Sequence, residues 1–187
     1  MADHNGQEAY QELSLSSEFQ HPRKWSDIQF KDFDGLILPG GHAAGMKEYL
    51  ESPILLKLVS EFFAADKPVG AICHGVVLAA RSRSSDGRSV LFDRKTTALL
   101  ASQEFTAWGM TALWLGDYYR TYKQSVQGEV TAALKEKSQF ISGPMPLLRD
   151  RPENLKAGFT VLDKNYLSAR WPGDAHRFAN EFVNLLK

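Results

Sequence analysis

The chain holds one cysteine, Cys73, and a histidine follows it directly in "VGAICHGVVLAA", residues 69–80. A thiol beside an imidazole suits nucleophilic catalysis, because a base can take the proton that blocks the sulfur. Ala71 stands two residues before Cys73 and Gly75 two after, the small neighbours that a sharp strand-to-helix turn needs if it is to hold a nucleophile clear of the backbone. A helix starting at His74 would aim its unpaired N–H groups at the sulfur and favour thiolate, the form open to oxidation as far as sulfinic acid. Upstream, "PGGHAAG" offers the paired glycines Gly40 and Gly41, whose backbone N–H groups could approach an oxyanion with no Cβ between. Each feature has a plainer reading: a lone buried cysteine is a small apolar core residue, a glycine pair is a tight turn, and a histidine there is a polar helix start. Together they favour a site.

Such a site needs a strand to deliver the thiol and a helix to leave it. "KPVGAICHG" is the delivering strand, and "DGLILPGG" predicts another at Leu36 to Leu38. Between them "SPILLKLVSEFFAAD" predicts a helix, with Ser52 as N-cap, Pro53 at the first position and Leu55, Leu58, Val59 and Phe62 on one face. Strand, helix and strand in that order make a parallel crossover, so the class is α/β, and functional groups collect at the carboxyl ends of such strands. Further on, "SVLFDRKTTALL" predicts a hairpin about Asp93 and Arg94. A helical cap region follows over residues 104–136, two helices with breaks near Gly116 and Gly128. "FTVLD" and "YLSAR" predict closing strands, and Asp174 caps a last helix with Phe178, Phe182, Val183 and Leu186 inward. Residues 1–33 form a polar segment without a strand, and the 187 residues make one domain.

Lys plus Arg and Asp plus Glu both number 22, so no basic surplus recruits nucleic acid or an anionic membrane. A single cysteine excludes an internal disulfide, and no signal peptide or membrane span is legible; a cytoplasmic location is expected. His4, His21, His42 and His176 show no zinc-ligand spacing, so no metal is expected. "LWLGDYYRTY" reads as a core or lid helix.

"DGLILPGGHAAGM" and "KPVGAICHG" resemble the two signature segments of the ThiJ/PfpI superfamily, related to class I glutamine amidotransferases, and "YLSARWPGDAHRFANEFVNLL" is similar to the end of that fold. The resemblance covers roughly residues 15–187 and is nearest the branch of heat-shock-type glyoxalase III proteins and intracellular proteases or amidases. It implies a flavodoxin-like, mostly parallel sheet with helices on both faces. In that branch an acidic residue about 30 positions on completes the Cys–His pair, which implies a triad of Cys73, His74 and Glu104. The pocket it implies takes in Gly40, Gly41, His42, Gly75 and His176, with Trp171 and Pro172 at the crevice wall and the N–H groups of Gly41 and His74 on the oxyanion.

Members of the branch begin with a strand–helix–strand unit whose first loop carries a glutamate on the nucleophile. The chain is expected to be N-terminally truncated relative to them, since Glu8, Glu12 and Glu18 stand in polar surroundings with no strand before them. The expected activity is that of a cofactor-independent cysteine enzyme on small reactive carbonyls such as methylglyoxal, weakened by the absent glutamate. Hydrolysis of a peptide amide, or service as a holdase chaperone or redox-stress module, is the alternative. Leu36 to Leu38 should form a sheet edge, which predicts a homodimer or higher homo-oligomer.

Overall fold

The sheet that carries the site has four strands in the order β1-β2-β4-β3, comprising β1 (Leu36–Leu38), β2 (Val69–Ile72), β3 (Thr160–Asp163) and β4 (Tyr166–Ala169). The computed structural model describes residues 4–43 and 45–187, so Ala44 of the glycine-rich segment lies outside the described residues. β1, β2 and β4 run parallel, with Leu36 opposite Val69 and Val69 opposite Tyr166, and β3 returns antiparallel to β4. Among the described residues eight helices surround it: α1 (His4–Leu15), α2 (Ser17–Gln20), α3 (Met46–Glu51), α4 (Pro53–Ala64), α5 (Gly75–Arg81), α6 (Ala101–Leu115), α7 (Val126–Ala133) and α8 (Ala175–Leu185). The fold is α/β, mostly parallel and covered on both faces. No described helix is long and apolar enough to cross a membrane.

The crossover forms for the reasons its sequence carries. The Ser52 hydroxyl accepts the Leu55 N–H at 3.3 Å, Pro53 opens α4, and Leu55, Leu58, Val59 and Phe62 are buried against the sheet. Removing a core side chain of that size costs about 2–5 kcal/mol. On the opposite face α8 lays Phe178 and Phe182 over Gly70 of β2, where an added Cβ would lie 2.7 Å from the Phe178 ring. Among the described residues β1 pairs with β2 alone and is an edge strand, with Ile37 half exposed. Within residues 1–33, α1 is a helix on the surface, while Trp25, Ile28, Phe30 and Phe33 pack on the core beside α4.

Three expectations need correction. No hairpin forms about Asp93 and Arg94, because the Ser89 hydroxyl accepts the Leu91 N–H and successive turns follow, with Thr96 pairing instead to Gln139 and Ile141. Gly116 does end a helix, at φ +54°, but Gly128 lies inside α7. In α8 only Phe178 and Phe182 are buried; Val183 and Leu186 face outward.

Candidate active site

β2 ends at Ile72 and α5 begins at Gly75, so Cys73 and His74 make the turn. Cys73 has a φ of +59°, a left-handed conformation that costs a non-glycine residue energy and lifts its side chain out of the strand. Its N–H is anchored on the Ala169 carbonyl of β4 at 3.0 Å. The end of β1 presses on the same turn. A Cβ on Gly40 would lie 2.6 Å from the Cys73 Cβ and 2.9 Å from the His74 nitrogen, and one on Gly75 would lie 2.0 Å from the Leu38 carbonyl oxygen. The glycines that the sequence offered for an oxyanion therefore also let two strand ends meet.

Cys73 Sγ lies 3.6 Å from Nδ1 of its neighbour His74, whose ring is fully buried. Burial pushes the thiol up to about 12; the His74 backbone N–H holds it back and the Glu104 carboxylate pushes it further. The expected activated thiolate is thus reversed: desolvation at this depth outweighs the short helix behind it. Burial, reinforced by His42, pulls the His74 imidazole down to about 4, and burial lowers His42 as well, so both rings stand neutral at pH 7. The His42 ring meets His74 edge-on at 4.6 Å and Tyr119 at 4.8 Å. Glu104, buried at the start of α6, accepts the Val126 N–H at 2.9 Å and has the Arg120 Nε at 3.9 Å; burial raises its carboxyl against both. His74 Nε2 is buried without a hydrogen-bond partner, so Glu104 does not bond it.

The turn opens into a cavity of about 1010 Å³, bounded by Gly40, Gly41 and His42 on one side and by α6, the 145–149 loop and Trp171 on the other. Among the described residues lining it, Glu104 is the one carboxylate. The loop is held from behind by Arg170, fully buried at the end of β4, which donates to the carbonyls of Ser142 and Pro144 and is paired with Asp174 at 2.9 Å. Asp174 stands at the helix start as expected, but its carboxylate serves Arg170 and the Phe159 N–H rather than capping α8.

A strained cysteine turn at the carboxyl end of a parallel sheet coincides with a match to a known family: the model described as ThiJ/PfpI family-like covers residues 1–144. This chain belongs to that family. Among ThiJ/PfpI relatives it is 24% identical over 163 residues to the deglycase PfpI of Pyrococcus furiosus, covering 87% of this chain and 68% of that protein. It is 32% identical over 89 residues to the glutathione-independent glyoxalase hsp3101 of Schizosaccharomyces pombe, covering 46% of this chain and 36% of the relative. The fold superposes on glyoxalase III from Candida albicans with a TM-score of 0.73 at 17% identity, covering 99% of this chain and 71% of that one. The chain spans about a fifth to a third of the length of several curated relatives it matches.

Of the residues singled out in the ThiJ/PfpI resemblance, Gly40, Gly41, His42, Cys73, Glu104, Trp171 and Pro172 line one cavity, with His74 directly behind the sulfur. Two do not take part as expected. Gly75 packs under β1, and His176 lies outside the cavity with its Nδ1 3.1 Å from the Asp150 carboxylate. Sequence reasoning missed Tyr119, Met110, Met145 and Leu147 on the walls. "LWLGDYYRTY" is no continuous helix, as α6 ends at Leu115 and Tyr119 comes from the turn beyond. An apolar "MPLL" in a proline-rich loop was the available signal for the other wall.

Proposed function

We propose that the chain is a cysteine enzyme that adds Cys73 to small reactive aldehydes, methylglyoxal among them. The observation that carries this reading is the neutral thiol–imidazole pair, 3.6 Å apart, on a strained turn at the floor of a largely apolar cavity. An aldehyde is electrophilic enough for a thiol whose proton leaves as the bond forms. The sulfur attacks the carbonyl carbon, His74 Nδ1 takes the thiol proton and returns it to the carbonyl oxygen, and the product is a hemithioacetal with atoms balanced. The N–H groups of Gly41 and His74 are the oxyanion donors of this proposal.

Conversion to lactate then moves the proton on C1 to C2 and hydrolyses the resulting thioester with water. The carboxylate available for that transfer in the described cavity is Glu104, held off the His74 ring by its bond to Val126. We assign the carbon-proton transfer to Glu104 and expect it to be slow. Methylglyoxal should give a reversible mass adduct on the wild type and none on Cys73→Ser. Glu104→Gln should keep the adduct while lactate formation falls by about 10²- to 10⁴-fold. An adduct that survives Cys73→Ser overturns the reading.

A holdase role is the second reading, favoured by exposed apolar side chains on α6 and the following loops, Leu113 at 96% and Met145 at 76% exposure among them. The Cys73→Ser protein separates the two, because a holdase would keep suppressing aggregation without the thiol.

A further inference from the structure

We propose that His42, Cys73 and His74 form a binding site for a zinc-class divalent cation, with the cavity supplying an open fourth position. One donor atom from each of the three residues lies within 4.8 Å of the others. The sulfur and Nδ1 of His74 are 3.6 Å apart, and a tetrahedral ion with bonds of about 2.3 Å to sulfur and about 2.0 Å to nitrogen sets those atoms about 3.5 Å apart. Closing the remaining gap asks a small turn of the His42 ring, which is only partly buried and sits edge-on to His74.

The second observation is that the His42 ring carries an uncommitted polar atom. His42 Nδ1 is buried with no hydrogen-bond partner, beside the wholly enclosed His74. Buried polar atoms left unpaired are uncommon and costly, and a metal gives the His42 nitrogen the partner it lacks. Two imidazoles and one thiolate select zinc and its soft neighbours over calcium or magnesium, which ask for oxygen. As the sulfur–metal bond forms, the thiol proton passes to solvent and the charge balances. Cys73 and His42 both line the cavity, so the fourth position faces it and takes water. The absence of zinc-ligand spacing in the sequence is explained by the fold: His42 follows β1 and the other two ligands follow β2, and parallel pairing places the two strand ends side by side.

This inference is independent of the aldehyde chemistry but uses the same sulfur, so zinc and aldehyde exclude one another. The test uses the full chain, stripped of metal and kept reduced. Titration with zinc against a chromophoric chelator should give one ion per chain, and cobalt should give a thiolate-to-metal charge-transfer band with the strong visible bands of a tetrahedral site. Zinc should also slow alkylation of Cys73 by iodoacetamide, a readout that needs no activity. His42→Ala, at a partly exposed position, should weaken binding by more than about 100-fold, since loss of even an outer-shell partner costs about 10- to 100-fold. His42→Cys should restore binding, and Cys73→Ser should remove the charge-transfer band. Stoichiometric zinc that persists at the same affinity in both His42→Ala and Cys73→Ser places the metal elsewhere and overturns the proposal, as does a wild-type chain that takes up no zinc at micromolar concentration.

Discussion

The two sides of the cavity are built on opposite principles. The floor, formed where β1 and β2 end, is fixed by backbone: Cys73 is held at positive φ, Gly40 and Gly75 leave no room for a methyl group, and His74 is completely enclosed. The facing wall is made of side chains with little behind them, Met110 at 69% exposure and Leu147 at 76%. On the proposed chemistry, reactive geometry resides where substitution is least tolerated, and selection among substrates where it is most tolerated.

The severest way to break this contrast is at the floor. Gly75→Ala puts a carbon 2.0 Å from a backbone oxygen with no flexible side chain to move aside. We expect a loss of about 4 kcal/mol or more, the range of exceptional core mutations, seen as insoluble or molten protein by near-UV circular dichroism. A native spectrum and an unchanged urea midpoint would show that β1 and the elbow can part, and that the floor is less rigid than the contacts require.

The link between floor and wall comes next. Arg170 and Asp174 are both buried, and Asp174→Asn leaves the guanidinium unpaired, which should cost about 3–5 kcal/mol. The double variant Arg170→Met with Asp174→Leu should recover much of that stability, yet it still frees the 142–145 segment from the Arg170 head. In the folded fraction we expect iodoacetamide to alkylate Cys73 at the wild-type rate while KM for a bulky aldehyde changes. If Cys73 reactivity shifts in step with KM, the two sides are coupled and the contrast fails.

How far each side was legible follows from the same difference. "SPILLKLVSEFFAAD" and "VGAICHG" spell their structure locally, through a cap, a periodicity and a small-residue turn, so the crossover and the cysteine turn could be read from neighbours in sequence. The depth of the thiol could not. Local sequence shows a helix behind Cys73, but its pKa is set by burial, which depends on β1, β4 and α6 arriving from elsewhere. Asp174 looks like a cap because that is what an aspartate at a helix start does; only the fold brings Arg170 into its reach from inside the core. The wall residues carry no local signal beyond an apolar loop, since their partner is the cavity.

A pH titration sharpens the account of the floor. His74 takes up a proton near pH 6.5 when unfolded but only near 4 when folded. As pH falls from about 6.5 towards 4 the unfolded state therefore binds more protons, and stability drops by on the order of 3 kcal/mol. Glu104, raised by burial, acts in the opposite sense, so the decisive quantity is the difference between wild type and His74→Gln in metal-free buffer. The urea midpoint of wild type should decline more steeply across this window than that of the variant. Parallel slopes would mean that His74 reaches water.

The smallest effect belongs to the wall. Leu147 is 76% exposed and lines the cavity, so Leu147→Ser removes little buried surface and should change stability by less than about 0.5 kcal/mol. The same change takes an apolar contact from any substrate long enough to reach across from Cys73, and one such contact is worth about 1–3 kcal/mol of discrimination. On the proposed chemistry, methylglyoxal is held by Cys73 at the floor and is expected to make little contact with it. We therefore expect kcat/KM for an aromatic aldehyde such as phenylglyoxal to fall by about tenfold in Leu147→Ser while the value for methylglyoxal stays within about twofold. Equal losses on both substrates would show that the wall acts by positioning the elbow rather than by touching the substrate, and the division between a fixed floor and an adjustable wall would have to be abandoned.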